Sequence, residues 1–132
     1  MSRSGYSYEL DPLELGRWRG RVASAIRGAR GQQFLRDTLA ALDAMKDKRL
    51  IAEELRENDE VCTLGAVLVA RGADPDKLDP EDHEAIGSVL NVSACLVREI
   101  EDLNDEHAPS DPGGRWSYMR NRIAELIQVK GA

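Results

Sequence analysis

The stretch Asp11-Pro12-Leu13-Glu14-Leu15-Gly16-Arg17-Trp18-Arg19-Gly20-Arg21-Val22-Ala23-Ser24-Ala25-Ile26-Arg27-Gly28 decides the fold. It opens as a helix must. Asp11 can accept from the first free backbone N–H groups, Pro12 at the first helical position gives up no hydrogen bond, and Glu14 can reach back as in a capping box. Leu15, Trp18, Val22 and Ile26 then recur on one face at helical spacing, and Gly28 ends the run. A second helix follows from about Arg30 to Met45, with Phe34, Leu35, Leu39, Leu42 and Met45 as its apolar stripe. So short a link predicts an antiparallel helix pair.

Further along, Lys46 to Leu64 is ambiguous: Leu50 to Leu55 reads as strand or as helix. Glu57-Asn58-Asp59 between two apolar runs reads as a turn, which favours a short hairpin of Leu50–Leu55 with Glu60–Thr63. Leu64 to Arg71 is a small-residue helix stopped at Gly72. Asp79-Pro80-Glu81-Asp82 repeats the capping logic and starts a helix to about Leu90. Ser93 caps the next, which runs to about Asn104. A loop rich in Pro, Ser, Asp and Gly precedes a last helix from about Arg115 to Gln128, with Trp116, Met119, Ile123 and Leu126 facing inward. The predicted fold is α+β and mainly α, with about six helices and one short β-hairpin. Residues 1–10 are expected to form a flexible arm and residues 11–130 a single domain.

The chain has 132 residues, 42% apolar and 32% charged, with a net charge of −6. This length buries a core without staples, and the composition excludes a disordered or fibrous chain. A net negative charge argues against generic attraction to phosphate backbones. The charge is uneven: residues 1–50 carry ten basic and six acidic residues, net +4, and residues 51–132 carry eight and eighteen, net −10. Such a dipole either steers association with charged partners or is satisfied within the fold. Cys62 and Cys95 sit in apolar, helix-like surroundings and read as reduced thiols. The start, Met1 to Tyr8, lacks the apolar core of a secretory leader, and the longest apolar run, Ala66 to Ala70, is too short for a bilayer. A cytoplasmic protein with no membrane partner is expected.

Three constellations stand out. Ile86, Gly87, Leu90, Asn91, Val92, Val97 and Ile100 fall in the register of a helix-turn-helix, but the helix placed to read DNA holds Arg98 against Glu99, Glu101 and Asp102. A corner used for packing satisfies the same pattern. Arg17, Arg19, Arg21, Arg27 and Arg30 surround Trp18 and are candidates for binding nucleic acid or a carboxylate-rich surface; a paired or solvated face is the plainer reading. Glu99, Asp102, Asp105 and Glu106 form an acidic segment beside His107 and are candidates for opposing a basic partner. No calcium-loop spacing accompanies them, and neither histidine has zinc spacing with a cysteine pair. No catalytic, cofactor or metal residue is assigned; an enzyme centred on Cys62 or His107 stays as a further alternative. Gly20 and Ala23-Ser24-Ala25 permit close helix packing, within one chain or in a homodimer.

Arg17-Trp18-Arg19-Gly20, Ala23-Ser24-Ala25-Ile26-Arg27-Gly28, Arg30-Gly31-Gln32-Gln33-Phe34-Leu35, the run Lys48 to Leu55, and Cys62-x-x-Gly65-Ala66 followed later by Asn104-Asp105 together resemble a group of small proteins of tailed phages and prophages with no assigned activity. The resemblance covers most of the chain. It implies a non-enzymatic accessory protein that binds and modulates a host protein or protein complex, an inhibitor of a defence complex of the CRISPR type among the options. A nucleic-acid-binding regulator using the arginines of the first two helices is the alternative.

Overall fold

The computed structural model describes residues 3–5 and 12–128. Six α-helices and one two-stranded hairpin form a single domain: α1 (Pro12–Arg27), α2 (Ala29–Ala44), β1 (Arg56–Glu57), β2 (Glu60–Val61), α3 (Thr63–Ala70), α4 (His83–Leu90), α5 (Ala94–Asp102) and α6 (Pro112–Leu126). The expected class, mainly helical α+β with about six helices and a hairpin, is the class observed. The cap assigned to Asp11 lies outside the described residues.

Helix α2 is the centre. Its Phe34, Leu35 and Leu42 are fully buried, and it packs against α1, α3 and α6. Leu64 and Leu68 of α3, Ile86 and Leu90 of α4, Leu96 and Ile100 of α5, and Met119 and Ile123 of α6 complete one core. The α1–α2 turn is tight: a Cβ on Gly31 would stand 1.8 Å from the Ala25 carbonyl oxygen, so only glycine fits there. Of the α1 stripe, Val22 is buried, while Leu15, Trp18 and Ile26 are half-buried.

Several boundaries differ from the sequence reading, each for a local reason. The hairpin is shorter than expected and does not use Leu50–Leu55. Leu50 and Leu55 both point into the core, and Glu53 between them has a positive φ of 70°, which breaks the alternation that a strand needs. The two-residue turn Asn58-Asp59 has positive φ at both positions, as a tight hairpin requires. Its register pairs Arg56 with Val61 and Glu57 with Glu60. Helix α4 starts at His83, not at Asp79: Asp79 accepts from the Glu81 N–H in a turn, and Asp82 is the cap, accepting from the Ala85 N–H at 3.1 Å. Ser93 stands at the cap position of α5, but its hydroxyl lies 3.1 Å from the Cys95 sulfur and makes no cap bond. After Asp102 the helix widens into a π turn, Leu103–His107. Helix α6 begins at Pro112, earlier than expected, because Asp111 caps it by accepting from the Gly114 N–H at 2.7 Å. Cys62 caps α3, its sulfur accepting from the Gly65 N–H.

Residues 3–5, expected in a flexible arm, are docked. Arg3 and Ser4 are buried against α4, α5 and the π turn.

Candidate functional site

The acidic segment does not form an outward face. Glu99 and Asp102 are buried, the Asp105 carboxylate is almost wholly covered, and only Glu106 is exposed. The expected partner surface of Glu99, Asp102, Asp105 and Glu106 is therefore corrected: in this conformation the first three point into the fold. Glu99 turns towards α1, and Asp102 and Asp105 turn towards the N-terminal segment, because burying carboxylates is tolerable only where cations and hydrogen-bond donors meet them.

Arg3 supplies the main cation. Its guanidinium grips Asp105 with two bonds, Nε to Oδ2 at 2.6 Å and Nη2 to Oδ1 at 2.9 Å. Asp105 also accepts from the Glu53 N–H and from the Asn104 side chain. Asn104 ties three elements together: its oxygen accepts from the Thr63 N–H and hydroxyl, and its nitrogen donates to the Ile51 carbonyl. The buried Arg115 of α6 donates to the Asn104 and Leu50 carbonyls. Asp102 accepts from the Ser4 hydroxyl at 3.4 Å and lies 3.0 Å from the His107 ring.

Glu101 is the unusual member. It is fully buried, and its Oε1 lies 2.8 Å from His83 Nε2. The same nitrogen lies 2.9 Å from the Arg3 carbonyl oxygen. A carbonyl only accepts, so Nε2 carries the hydrogen and shares it between the two oxygens. Glu101 Oε2 has no hydrogen-bond partner among the described residues and faces Arg3 Nη1 at 3.8 Å, too far for a hydrogen bond. Burial pushes the Glu101 carboxyl up to about 8, against the pull of the Arg3 guanidinium and with Asp105 adding to the rise. Burial likewise holds His83 below its ordinary value.

The basic edge behaves in the opposite way. Arg17, Arg19, Arg21, Arg27 and Arg30 are all exposed on α1 and α2. Arg19 approaches Glu99 at 3.9 Å, and Arg30 donates to Asn91 at 3.2 Å. Among the described residues, no ion pair involves Arg17, Arg21, Arg27 or Arg30. Trp18 is half-buried, with the Arg98 guanidinium 4.7 Å and that of Arg21 5.8 Å from its ring centre. Beside these arginines runs an open groove of about 710 Å³ between α1 and the start of α5, lined by Arg17, Gly20, Arg21, Ser24, Ser93 and Cys95. A second hollow of about 210 Å³ carries it on to Arg30.

The helix-turn-helix register forms a real corner. Asn91 takes the left-handed conformation, and a Cβ on Gly87 would stand 2.7 Å from the Val92 carbonyl oxygen. Helix α1 lies across α5, which turns Glu99, Glu101 and Asp102 inward, so the corner serves packing here. Cys62 is fully buried as a helix cap, and His107 bonds Asp102. Among the described residues, no group of three His, Cys, Asp or Glu is arranged to hold a metal ion, and no helix is long and apolar enough to cross a membrane.

Sequence reasoning missed Arg3, His83, Asn104 and Arg115 as members of the cluster. Arg3 gave no signal, since nothing about an arginine in a polar leader says that it folds back. Asn104 is next to Asp105 in the sequence but carries no charge, so the acidic pattern does not include it. Compared with known protein families, with known proteins and with solved structures, the chain matches none.

Proposed function

We propose that this chain is a non-enzymatic accessory protein that binds a partner macromolecule through the arginine edge of α1 and α2. The observation that carries this reading is the contrast in partners. The carboxylates of α5 are consumed by the fold, whereas Arg17 and Arg21 stand exposed beside an open groove, and these two and Arg27 have no described carboxylate in ion-pair reach. Exposed guanidinium groups recognise carboxylates and phosphates through paired N–H donors. The overall charge of −6 and the acidic residues Glu81, Asp82 and Glu84 near Arg21 disfavour a long polyanion as the partner. The resemblance to small phage proteins supports a host protein as that partner, with a defence complex among the targets.

The experiment is a pull-down with the tagged protein from host lysate, divided into nuclease-treated and untreated halves. It is repeated with the double variant Arg17→Glu/Arg21→Glu, whose fold is checked by circular dichroism. A host protein retained after nuclease and lost with the folded variant supports the reading. Retention undiminished by the variant overturns the assigned edge. Recovery of nucleic acid alone, with binding that falls steeply as salt rises, moves the assignment to a nucleic-acid regulator acting through the same arginines.

A further inference from the structure

The Arg3–Ser4–Gly5 segment is held by more than its charge. Arg3 clamps Asp105 with its side chain and presents its carbonyl to His83. The Ser4 carbonyl accepts from Arg98 Nε at 2.6 Å, the same guanidinium that stacks on Trp18 of α1. Gly5 has a positive φ of 68°, and a Cβ there would stand 3.2 Å from Arg98 Nη2, so this close turn is built for glycine. Beneath the strap lies Glu101, with one oxygen held by His83 and the other 3.8 Å from Arg3 Nη1. Arg3 Nη1 and Glu101 Oε2 are both buried, and neither has a hydrogen-bond partner among the described residues. The strap covers this group, and burial favours its uncharged form.

We propose that residues 3–5 are a proton-gated strap: docked while Glu101 holds its proton, and released when that proton leaves. Ionisation of Glu101 places a charge in a buried site where the guanidinium paired with it, that of Arg3, already grips Asp105. Exposure to water through release of the strap satisfies that charge. The other charged groups facing Glu101 are Arg98 on its own helix, Asp105 in the π turn and Glu81 ahead of α4; His83 faces Arg3, Arg98 and Asp82. Two of Glu101's neighbours are acidic and oppose its ionisation, as burial does. Release uncovers Glu101 and Asp105, the carboxylates that the closed form hides. The proposal is independent of the arginine-edge reading, since its test uses no partner.

The test is NMR on the full chain, following the Glu101 carboxyl carbon and the Ser4 and Gly5 amides from mildly acidic to alkaline pH. The carboxyl should titrate near 8, and the two strap amides should move with the same midpoint and lose protection above it. Gly5→Ala alters no titrating group but crowds Arg98; it should lower the Glu101 midpoint by about one unit or more by letting water in. Glu101→Gln should keep the strap docked across the range. A carboxyl that titrates in the ordinary range, strap amides that stay still while Glu101 titrates, or tighter docking at alkaline pH would each overturn the proposal. If the glutamine variant fails to fold, the Gly5→Ala comparison decides: an unchanged Glu101 midpoint means that the strap does not hold the proton.

Discussion

Two charged regions of this protein begin as the same kind of sequence signal and end as opposites. Arg17, Arg21 and Arg27 lie on a helix whose other face packs inward, and they keep the solvent. Glu99, Glu101 and Asp102 lie on a helix covered on both sides, by α1 and by the N-terminal strap, and they become interior. A run of charge therefore fixes periodicity and leaves open which side of the element meets water. The difference has an energetic consequence. Exposed charges contribute little to stability, whereas buried ones are coupled to every donor that satisfies them.

The largest effect expected from breaking that contrast is at Asn104. Asn104→Ala strips partners from the Thr63 N–H and hydroxyl, and should cost about 3 kcal/mol in a denaturant titration. A cost near zero would mean that the cluster is only loosely formed. Next is Gly65→Ala, whose Cβ would stand 2.0 Å from the Leu55 carbonyl oxygen, joining α3 to the segment before the hairpin. A loss of about 2 kcal/mol is expected, since backbone on one side cannot give way.

The pH dependence sharpens the comparison. Glu101 has a folded value raised from 4.5 to about 8, so its favourable contribution is full below the unfolded value and is lost as pH rises through about 8. Thermal melts should show stability falling over that window, and Glu101→Gln should flatten the fall. Asp43 has the reverse sign. The Arg120 guanidinium bonds its carboxylate and holds it below the usual range, so that contribution is present at neutral pH and fades as pH falls towards acid. The smallest stability effect is at the arginine edge: Arg17→Ala and Arg21→Ala should each change stability by less than about 0.5 kcal/mol. A larger loss would place these arginines within the fold's own network.

The capping residues show how far local chemistry reads from the sequence. Asp-Pro at positions 111 and 112 starts a helix because the carboxylate meets free N–H groups and proline lacks one to lose. The same pair at positions 79 and 80 gives a turn, because Asp82 three residues later offers a better cap next to an apolar run. Leu50 and Leu55 were legible as apolar anchors, yet the path between them was not. Glu53 adopts its positive φ with its N–H on Asp105, a residue 52 positions away.

The sequence by itself determined the helical class, the number of helices and most of the core, because these follow from apolar period and capping within a few residues. Only the tertiary structure decided which charges face water and that residues 3–5 fold back. The same holds for Asn104, which ties the loop before the hairpin to the π turn. Each of these depends on a partner far along the chain, and the free energy of burying a charge is set by the donors that arrive from elsewhere, not by its own neighbours in sequence.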